Sequence, residues 1–234
     1  MLEVDHLNAG YGGKSILTDT SFHVDEREIV VIIGHNGAGK TTILKSIFGL
    51  IPWKKGEIRF NGQSIMKFKS HEILSKGLAY IPQNHSVFPK LTVYENLWMG
   101  GYIISDKQYL KDKIKDVLPM FPVLTRRLKQ MAGNLSGGEQ RMLEIARTLL
   151  LDPALIMLDE PSLGLAPKIV DQIFEIVRQL CETGKSILMI EQNVKKGLSV
   201  SDRGYVLELG MVKLEDKAEN LIDDERVARL YMGR

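Results

Sequence analysis

The sequence predicts an α/β fold built on a mainly parallel sheet. Three observations point to it: apolar segments alternate with helical ones, a glycine-rich turn follows one apolar segment directly, and another apolar segment ends in two carboxylates. These features lie at residues 29–33, 34–41 and 154–160. Short continuous apolar runs are typical of strands buried on both faces, which is the usual condition of parallel strands.

The first part of the chain supplies strands and one helix. Its predicted strands occupy residues 2–7, 21–24, 29–33 and 77–82. Residues 41–48 predict a helix, because Gly49 follows as a stop signal with Pro52 beyond it. Turn signals at Gly56 and Gly62 flank residues 57–60, so we expect a small antiparallel β subdomain there.

The stretch from residue 84 to 136 has a different character. It is rich in Lys, Leu, Met and Tyr and shows helical spacing over residues 109–118, so we expect a helical subdomain inserted into the α/β core. Beyond it the predicted helices span residues 136–151 and 169–181, and the predicted strands span residues 154–158, 186–190, 204–207 and 212–214. We therefore expect one unit over residues 1–234, with its core at about 1–83 and 137–234 and the helical subdomain at about 84–136.

The composition excludes several classes of protein. Hydrophobic residues make up 44% of the 234 residues and charged residues 26%, as in globular proteins. The net charge of +2 is low for a general nucleic-acid coat protein, so we expect no nucleic-acid partner. The single cysteine, Cys181, excludes an internal disulfide framework. No apolar run approaches the roughly 18 residues that span a bilayer, and the first ten residues lack a signal pattern, so we expect a cytoplasmic protein.

The glycine-rich turn carries a phosphate-loop motif. Residues 34–41 are Gly-His-Asn-Gly-Ala-Gly-Lys-Thr, which fits G-x-x-x-x-G-K-[ST] between a predicted strand and a predicted helix. The glycines let successive N–H groups turn towards phosphate oxygens, and the helix N-terminus adds partial positive charge. Lys40 supplies a full charge to the β- and γ-phosphates, and Thr41 offers a hydroxyl to Mg²⁺.

Two further motifs complete the predicted site. The strand at residues 154–158 leads into Asp159 and Glu160 at the carboxyl edge of the sheet, where ligands bind in open α/β folds. Asp159 is placed to hold Mg²⁺, and Glu160 to take a proton from an attacking water; helix capping is the alternative role for such acids. Residues 135–139, Leu-Ser-Gly-Gly-Glu, begin a helix with a Ser N-cap, and the same geometry also forms an anion site.

The phosphate loop, Gln83 after a strand, Leu-Ser-Gly-Gly-Glu and a strand ending in Asp-Glu, in this order, resemble the ATP-binding-cassette (ABC) ATPases. The resemblance covers residues 2 to 234. It implies a P-loop NTPase core of RecA-like fold, with an antiparallel β subdomain and an inserted helical subdomain. It also implies ATP and Mg²⁺ as cofactors, and ATP hydrolysis coupled to transmembrane transport.

The resemblance assigns roles to single residues. Tyr11 matches the aromatic residue that stacks on adenine, with an ordinary surface tyrosine as the alternative. The residues that match the ATP-binding loop are Gly34, Asn36, Gly37, Ala38, Gly39, Lys40, Thr41 and Thr42. Gln83 matches the glutamine that contacts Mg²⁺ and the attacking water and relays to the membrane partner. The residues that match the signature binding the γ-phosphate of ATP on a second cassette are Ser136, Gly137 and Gly138. Two cassettes packed head to tail are then needed for a complete site.

Two residues depart from the family pattern. Gln192 stands where a histidine usually contacts the γ-phosphate. A glutamine donates to phosphate and accepts from water but does not titrate near neutral pH, so our hypothesis is that Gln192 orients groups while Glu160 acts as the base. The alternative is an idle, exposed Gln192. Ala166 stands where many cassettes have an aspartate that helps communication across the dimer, which removes that link or leaves it to the backbone.

Several strings narrow the resemblance to the cassettes of branched-chain amino-acid importers, in particular the second of their two ATPases. The strings are EPSLGLAP at 160–167, EQN at 191–193, DRGYVLELG at 202–210, VFPKLTVYENLWMGG at 87–101 and the tail Tyr231-Met232-Gly233. Gln83 departs, because that subfamily often has glutamate there. The apolar residues at 88–98 are candidates for a groove that receives a permease helix, with core packing as the alternative.

The narrower resemblance implies partners. They are integral-membrane permease subunits, a second and different ABC ATPase and, indirectly, a periplasmic or extracellular substrate-binding protein, with the chain peripheral on the inner face of the cell membrane. A homodimer of this chain is the alternative to a pair of different ATPases. The alternative functions are lipopolysaccharide export, urea uptake, a non-transport ABC ATPase and a catalytically silent subunit.

Overall fold

The computed structural model describes residues 1–232; Gly233, from the terminal string, lies outside the described residues. The strands are β1 (Leu2–Tyr11), β2 (Lys14–Val24), β3 (Ile29–Ile33), β4 (Trp53–Phe60), β5 (Gln63–Ser64), β6 (Leu78–Ile81), β7 (Leu155–Asp159), β8 (Ser186–Glu191), β9 (Arg203–Glu208) and β10 (Met211–Lys217). The helices are α1 (Lys40–Ile47), α2 (Ser70–Ser75), α3 (Val93–Gly100), α4 (Lys107–Val117), α5 (Pro122–Thr125), α6 (Gly137–Leu149), α7 (Pro167–Glu182), α8 (Val194–Leu198), α9 (Ala218–Leu221) and α10 (Glu225–Met232).

The larger sheet has the strand order β10-β9-β3-β8-β7-β6. The strands from β9 to β6 run parallel, and β10 is added antiparallel to β9 at one edge. The predicted parallel α/β core is thereby confirmed. Because β8 lies between β3 and β7, the segments that follow these three strands emerge side by side at the carboxyl edge of the sheet.

Both faces of this sheet are buried, and each contributes to a separate apolar cluster. Along β3, Val30 and Ile32 belong to one cluster, while Val31 and Ile33 belong to the other. The alternation follows from the period of two in a strand, and it explains why the segment is continuously apolar. One cluster packs against α6 and α7, and the other against α1.

A second, antiparallel sheet has the order β2-β1-β4-β5, and the predicted turn at Gly62 joins β4 to β5. The turn predicted at Gly56 is wrong: this glycine lies within β4, where its φ of 104° accompanies a shift in the pairing with β1. Helix α1 contacts β1 and β2 on one side and β7 on the other, so it lies between the two sheets. This position fixes the N-terminus of α1, and with it the phosphate loop, against both sheets.

Residues 93–149 are mainly helical, with side-chain caps at the starts of three helices: Thr92 for α3, Asp106 for α4 and Ser136 for α6. Their apolar residues join the same cluster as one face of the parallel sheet. The division into a core and a subdomain at residues 84 and 136 stays a prediction. Within residues 1–232, no helix combines the length and the apolar character needed to cross a bilayer.

Candidate nucleotide-binding site

A cleft of about 520 Å³ lies at the carboxyl edge of the parallel sheet. It is lined by Tyr11, Ile16, Asn36, Gly37, Gly39, Lys40, Thr41, Thr42, Gln83, Glu160, Leu163 and Gln192. The sequence motifs predict all of these except Ile16 and Leu163. Four of the contributing segments follow β3, β6, β7 and β8, so the sheet edge gathers residues that are far apart in the chain.

The phosphate loop curls at two glycines. Gly37 and Gly39 have φ values of 82° and 105°, in the left-handed region that favours glycine. A Cβ built on Gly39 would lie 2.8 Å from Leu17 Cδ2, whereas one on Gly37 would meet nothing within 4 Å. Gly39 therefore allows close packing on β2, and Gly37 leaves space in the cleft at the N-terminus of α1.

Lys40 places its ammonium group inside this loop. Its Nζ donates to the carbonyl oxygens of Gly34 at 2.7 Å and His35 at 3.2 Å, and it lies 3.5 Å from Glu160 Oε1. The side chain is only 4% exposed. Gly34 thus acts through its carbonyl and, like the buried Ala38, does not line the cleft itself.

Asp159, the last residue of β7, is held by two hydroxyl groups. Its Oδ1 accepts from Thr41 Oγ1 at 3.1 Å, and its Oδ2 accepts from Tyr80 OH at 2.8 Å. Burial raises the pKa of Asp159, the two hydrogen bonds oppose that shift, and the neighbouring Glu160 charge adds to it. Burial, followed by the charge of Asp159, raises the pKa of Tyr80 as well. The motifs do not reveal Tyr80, whose contact depends on β6 pairing with β7.

The donor set suits Mg²⁺. Hydroxyl and carboxylate oxygens are the hard ligands that this ion prefers, and Thr41 and Asp159 supply one of each in direct contact. The third predicted ligand, Gln83, contacts Glu160 instead: its Nε2 donates to Glu160 Oε2 at 2.9 Å.

Glu160 combines burial with a constrained backbone. Its φ is 46°, an unfavourable region for a residue with a side chain, and its N–H donates to the Ile190 carbonyl at 3.0 Å. Such a conformation costs of the order of 1–3 kcal/mol and persists where the surroundings hold it. Residue 160 is 7% exposed, and its carboxylate lies between Lys40 and Gln83.

The end of β8 is tied to the turn after β7. Glu191 accepts from the N–H of Ser162 at 3.0 Å and from its hydroxyl at 2.8 Å, and burial raises the pKa of Glu191. The next residue, Gln192, is exposed and lines the cleft. The motif analysis does not predict the Glu191–Ser162 link, which joins residues 29 positions apart.

The signature residues lie elsewhere. Ser136 caps α6, with its Oγ accepting from Glu139 N at 3.4 Å and its N–H donating to Glu139 Oε2 at 2.9 Å. Among the described residues, Ser136, Gly137 and Gly138 do not belong to the cleft lining. A Cβ on Gly138 would lie 2.2 Å from Ile169 Cγ2, so this glycine lets α6 approach α7 closely.

A phosphate loop, a strand-end carboxylate pair and a separate Ser-Gly-Gly helix start, set on a parallel sheet, define the nucleotide-hydrolysing cassettes. The sequence profile of the ABC transporter family matches residues 17–163, and the chain belongs to this family. It is therefore an ATP-hydrolysing cassette of a transporter.

Relatives match over the full length. The chain is 43% identical to the high-affinity branched-chain amino acid transport ATP-binding protein BraG of Pseudomonas aeruginosa, covering 100% of both chains. It is 41% identical to the probable branched-chain amino acid transport ATP-binding protein LivF of Archaeoglobus fulgidus, covering 100% of this chain and 99% of the relative. It is 34% identical to the lipopolysaccharide export system ATP-binding protein LptB of Escherichia coli, covering 99% of this chain and 97% of the relative.

A solved structure shows the same fold. The crystal structure of an ATP-binding cassette of an ABC transporter in its ADP conformation superimposes with a TM-score of 0.89 at 26% identity, covering 100% of this chain and 99% of the other. The predicted ABC ATPase fold is thus confirmed.

Proposed function

We propose that this chain energises the uptake of branched-chain amino acids by hydrolysing ATP. The observation that carries the choice of substrate is full-length similarity, at 43% and 41% identity, to relatives named for that transport. The relatives named for lipopolysaccharide export are 34% to 35% identical. Lipopolysaccharide export is therefore the alternative against which the proposal is tested.

ATP binding is assigned to one wall of the cleft. Tyr11 stacks on the adenine, the backbone of residues 36–42 surrounds the phosphates, and Lys40 provides charge from within the loop. Thr41 and Asp159 would hold Mg²⁺, which, when bound, neutralises charge on the phosphates. Gln83 is assigned a contact with the attacking water, and access to the metal when its bond to Glu160 is released.

Hydrolysis is assigned to Glu160. This carboxylate takes a proton from the water that attacks the γ-phosphate, while Lys40 stabilises the charge that develops on the phosphate oxygens. The contact with Gln83 holds one carboxylate oxygen of Glu160, so that the base keeps one orientation. Gln192, exposed at the cleft, orients the phosphate or the water without exchanging protons.

A second cassette completes the site. The separation of Ser136, Gly137 and Gly138 from the cleft supports head-to-tail packing, in which each cassette places its signature on the ATP of the other. We assign a different, related ATPase as the partner; two copies of this chain are the alternative.

The membrane partner is assigned to the helical part of the chain. Leu91, Tyr94, Glu95, Trp98 and Met99 line a groove of about 420 Å³, and Tyr94 and Met99 are 37% and 39% exposed. We assign this groove, within a helical subdomain at about 84–136, to a helix of an integral-membrane permease. The cassette then sits peripherally on the inner face of the membrane, and a substrate-binding protein delivers the amino acid on the other side.

Uptake of labelled leucine tests the proposal. The cells carry Glu160→Gln as the only copy of this chain, with competing leucine uptake removed. Loss of uptake, restored by the unaltered chain, supports both the importer role and the substrate class. A matched control is Glu175→Gln, an exposed residue on α7, which should retain uptake. Unchanged uptake in Glu160→Gln cells rejects the amino-acid assignment and makes lipopolysaccharide export the next function to assay.

A further inference from the structure

The segment that carries Gln83 has little regular structure of its own. It runs from the end of β6 at Ile81 to the start of α3 at Val93, so its carbonyl groups need partners outside a sheet ladder. Helix α6 supplies partners through Arg141, whose Nη1 donates to the Pro82 carbonyl at 2.7 Å and whose Nη2 donates to the Gln83 carbonyl at 2.6 Å.

A second contact joins the same helix to the same segment. Glu144, one turn after Arg141, accepts from the N–H of Ser86 and lies 3.0 Å from Arg141 Nη1. Another turn on, Arg147 donates to the Ser86 carbonyl at 3.0 Å and to its hydroxyl at 2.8 Å. Three charged side chains at intervals of three residues therefore fasten one face of α6 to the Gln83 segment.

Burying the charged groups of Arg141 and Glu144 costs more free energy than a contact that only holds the segment in place would require. Arg141 and Glu144 are 3% and 1% exposed, and burying two charges costs more than their attraction returns unless every polar atom is satisfied. Within the part of the chain that the structure describes, Arg141 Nε has no hydrogen-bond partner, and the contact of Glu144 Oε2 is the 3.0 Å ion pair with Arg141 Nη1. Apolar side chains of similar volume would avoid burying the two charges, but they would leave the Pro82 and Gln83 carbonyls and the Ser86 N–H without these partners. The pair is therefore best explained by the position it gives to its backbone partners.

We propose that Arg141 is a positioning residue for hydrolysis, which acts by fixing the backbone of Gln83. The inference rests on the proposed function of Gln83 and Glu160. Arg141 holds the Gln83 carbonyl, the Gln83 side chain holds Glu160 Oε2 at 2.9 Å, and Glu160 is the assigned base. A guanidinium group suits this task because its planar fork presents two donors at a fixed angle to two successive carbonyls.

The proposal links two successive turns of α6. The helix begins with Gly137 and Gly138, which we assign to the ATP of the second cassette, and reaches Arg141 one turn later. A shift of α6 on contact with that ATP therefore moves the Gln83 segment of its own cleft. ATP bound to one cassette would then change the position of Glu160, or of the corresponding base, in the other cassette.

A double-mutant cycle on ATP turnover tests the proposal, using the full chain in complex with its co-expressed transporter subunits. Arg141→Lys keeps the charge but loses the fork, and we expect it to lower kcat about tenfold with the Kd for ATP within about twofold. In a Gln83→Ala background the same substitution should cause no further loss. The matched control is Arg203→Lys, a partly exposed arginine on β9 paired with Glu28, which should leave kcat unchanged in both backgrounds.

The outcomes separate the two proposals. If Gln83→Ala lowers kcat and adding Arg141→Lys lowers it a further tenfold, Arg141 does not act through Gln83. The inference about Arg141 is then overturned, while the assigned role of Gln83 stands. If Gln83→Ala turns over at the normal rate, the assigned role of Gln83 fails and the inference fails with it.

A second variant and a second measurement guard against misfolding. Glu144→Gln leaves the Arg141 fork in place but removes the charge that orients it, and it should show the same non-additivity with Gln83→Ala. Hydrogen exchange of the Ser86 amide should accelerate in both variants, while amides in the buried strand β3 stay protected. Unchanged exchange at Ser86 would contradict the fastening.

Discussion

The Gln83 amide nitrogen and the Glu160 carboxylate are joined by a hydrogen bond of 2.9 Å, although 77 positions separate the residues. They follow β6 and β7, which are neighbouring parallel strands, so the pairing of these strands brings them together. Glu160 Oε1 lies 3.5 Å from Lys40 Nζ on the other side. The carboxylate is therefore held between an amide and an ammonium group.

Glu160→Gln should bind ATP and fail to hydrolyse it. The amide keeps the size of the side chain but cannot take a proton from water, and loss of a general base lowers turnover about 10²- to 10⁴-fold. The measurement is phosphate release at saturating ATP, together with equilibrium binding of a fluorescent ATP analogue. Glu175→Gln on α7 is the control, and turnover at the normal rate in Glu160→Gln would remove this residue from its assigned role.

Tyr80→Phe should weaken the assigned metal site while leaving the cleft shape intact. The phenol donates to Asp159 Oδ2 at 2.8 Å, and a hydrogen bond to a charged group contributes about 1.5–3 kcal/mol. We expect a loss of about that size in the free energy of unfolding, measured in urea, and a higher Mg²⁺ concentration for half-maximal hydrolysis. Tyr109→Phe, at a half-exposed position on α4, should change neither quantity. An unaltered Mg²⁺ dependence in Tyr80→Phe would count against the role of this phenol.

Gln192→His should change the hydrolysis rate by less than about tenfold. An imidazole can donate to phosphate as the amide does, and on this hypothesis the proton goes to Glu160 in both proteins. The check is the turnover of this variant beside Glu160→Gln under the same conditions. An equally severe loss would show that the residue after β8 does more than orient.

His6 should make stability depend on pH. Its Nδ1 lies 2.5 Å from Asp19 Oδ1, and this hydrogen bond, with the charges of Asp5 and Asp19, raises the pKa of His6 above its ordinary value. A raised histidine pKa contributes stability that is complete below the unfolded pKa and is lost as pH rises through the folded one. The advantage in Tm of the unaltered chain over His6→Gln should thus be larger at low pH than at high pH.

The control for this experiment is His71→Gln, at an exposed position on α2. It removes an exposed histidine elsewhere in the chain, and its Tm difference from the unaltered chain at each pH is the baseline for His6→Gln. Equal Tm differences for His6→Gln at both pH values would contradict the assigned pairing.

Local patterns predict the parts of the site that local chemistry determines. The phosphate loop and the Asp159-Glu160 strand end are recognisable because their residue types are dictated over eight or fewer positions. Tyr80 and Arg141 escape such patterns, because their roles depend on which strand lies beside β7 and on which loop lies beside α6. Strand order and helix packing are set by contacts across the whole chain.

The boundaries of strands and helices are likewise set partly by local sequence and partly by contacts with distant parts of the chain. The predicted strand at residues 2–7 extends to Tyr11, because register shifts along β1 keep it paired with both β2 and β4. Helix α3 begins at Val93 after a capping box between Thr92 and Glu95, a sequence signal that could have located it. Apolar spacing alone leaves that start undefined.

The placement of Ser136 outside the cleft that contains Lys40 has a genetic consequence. If two copies of this chain pair head to tail, a chain lacking Lys40 and a chain lacking Ser136 together form one intact site and one doubly damaged site. The two alleles would complement each other when co-expressed, although each alone is null. If the partner is a different ATPase, each assembly holds a single copy of this chain, and the same two alleles fail to complement.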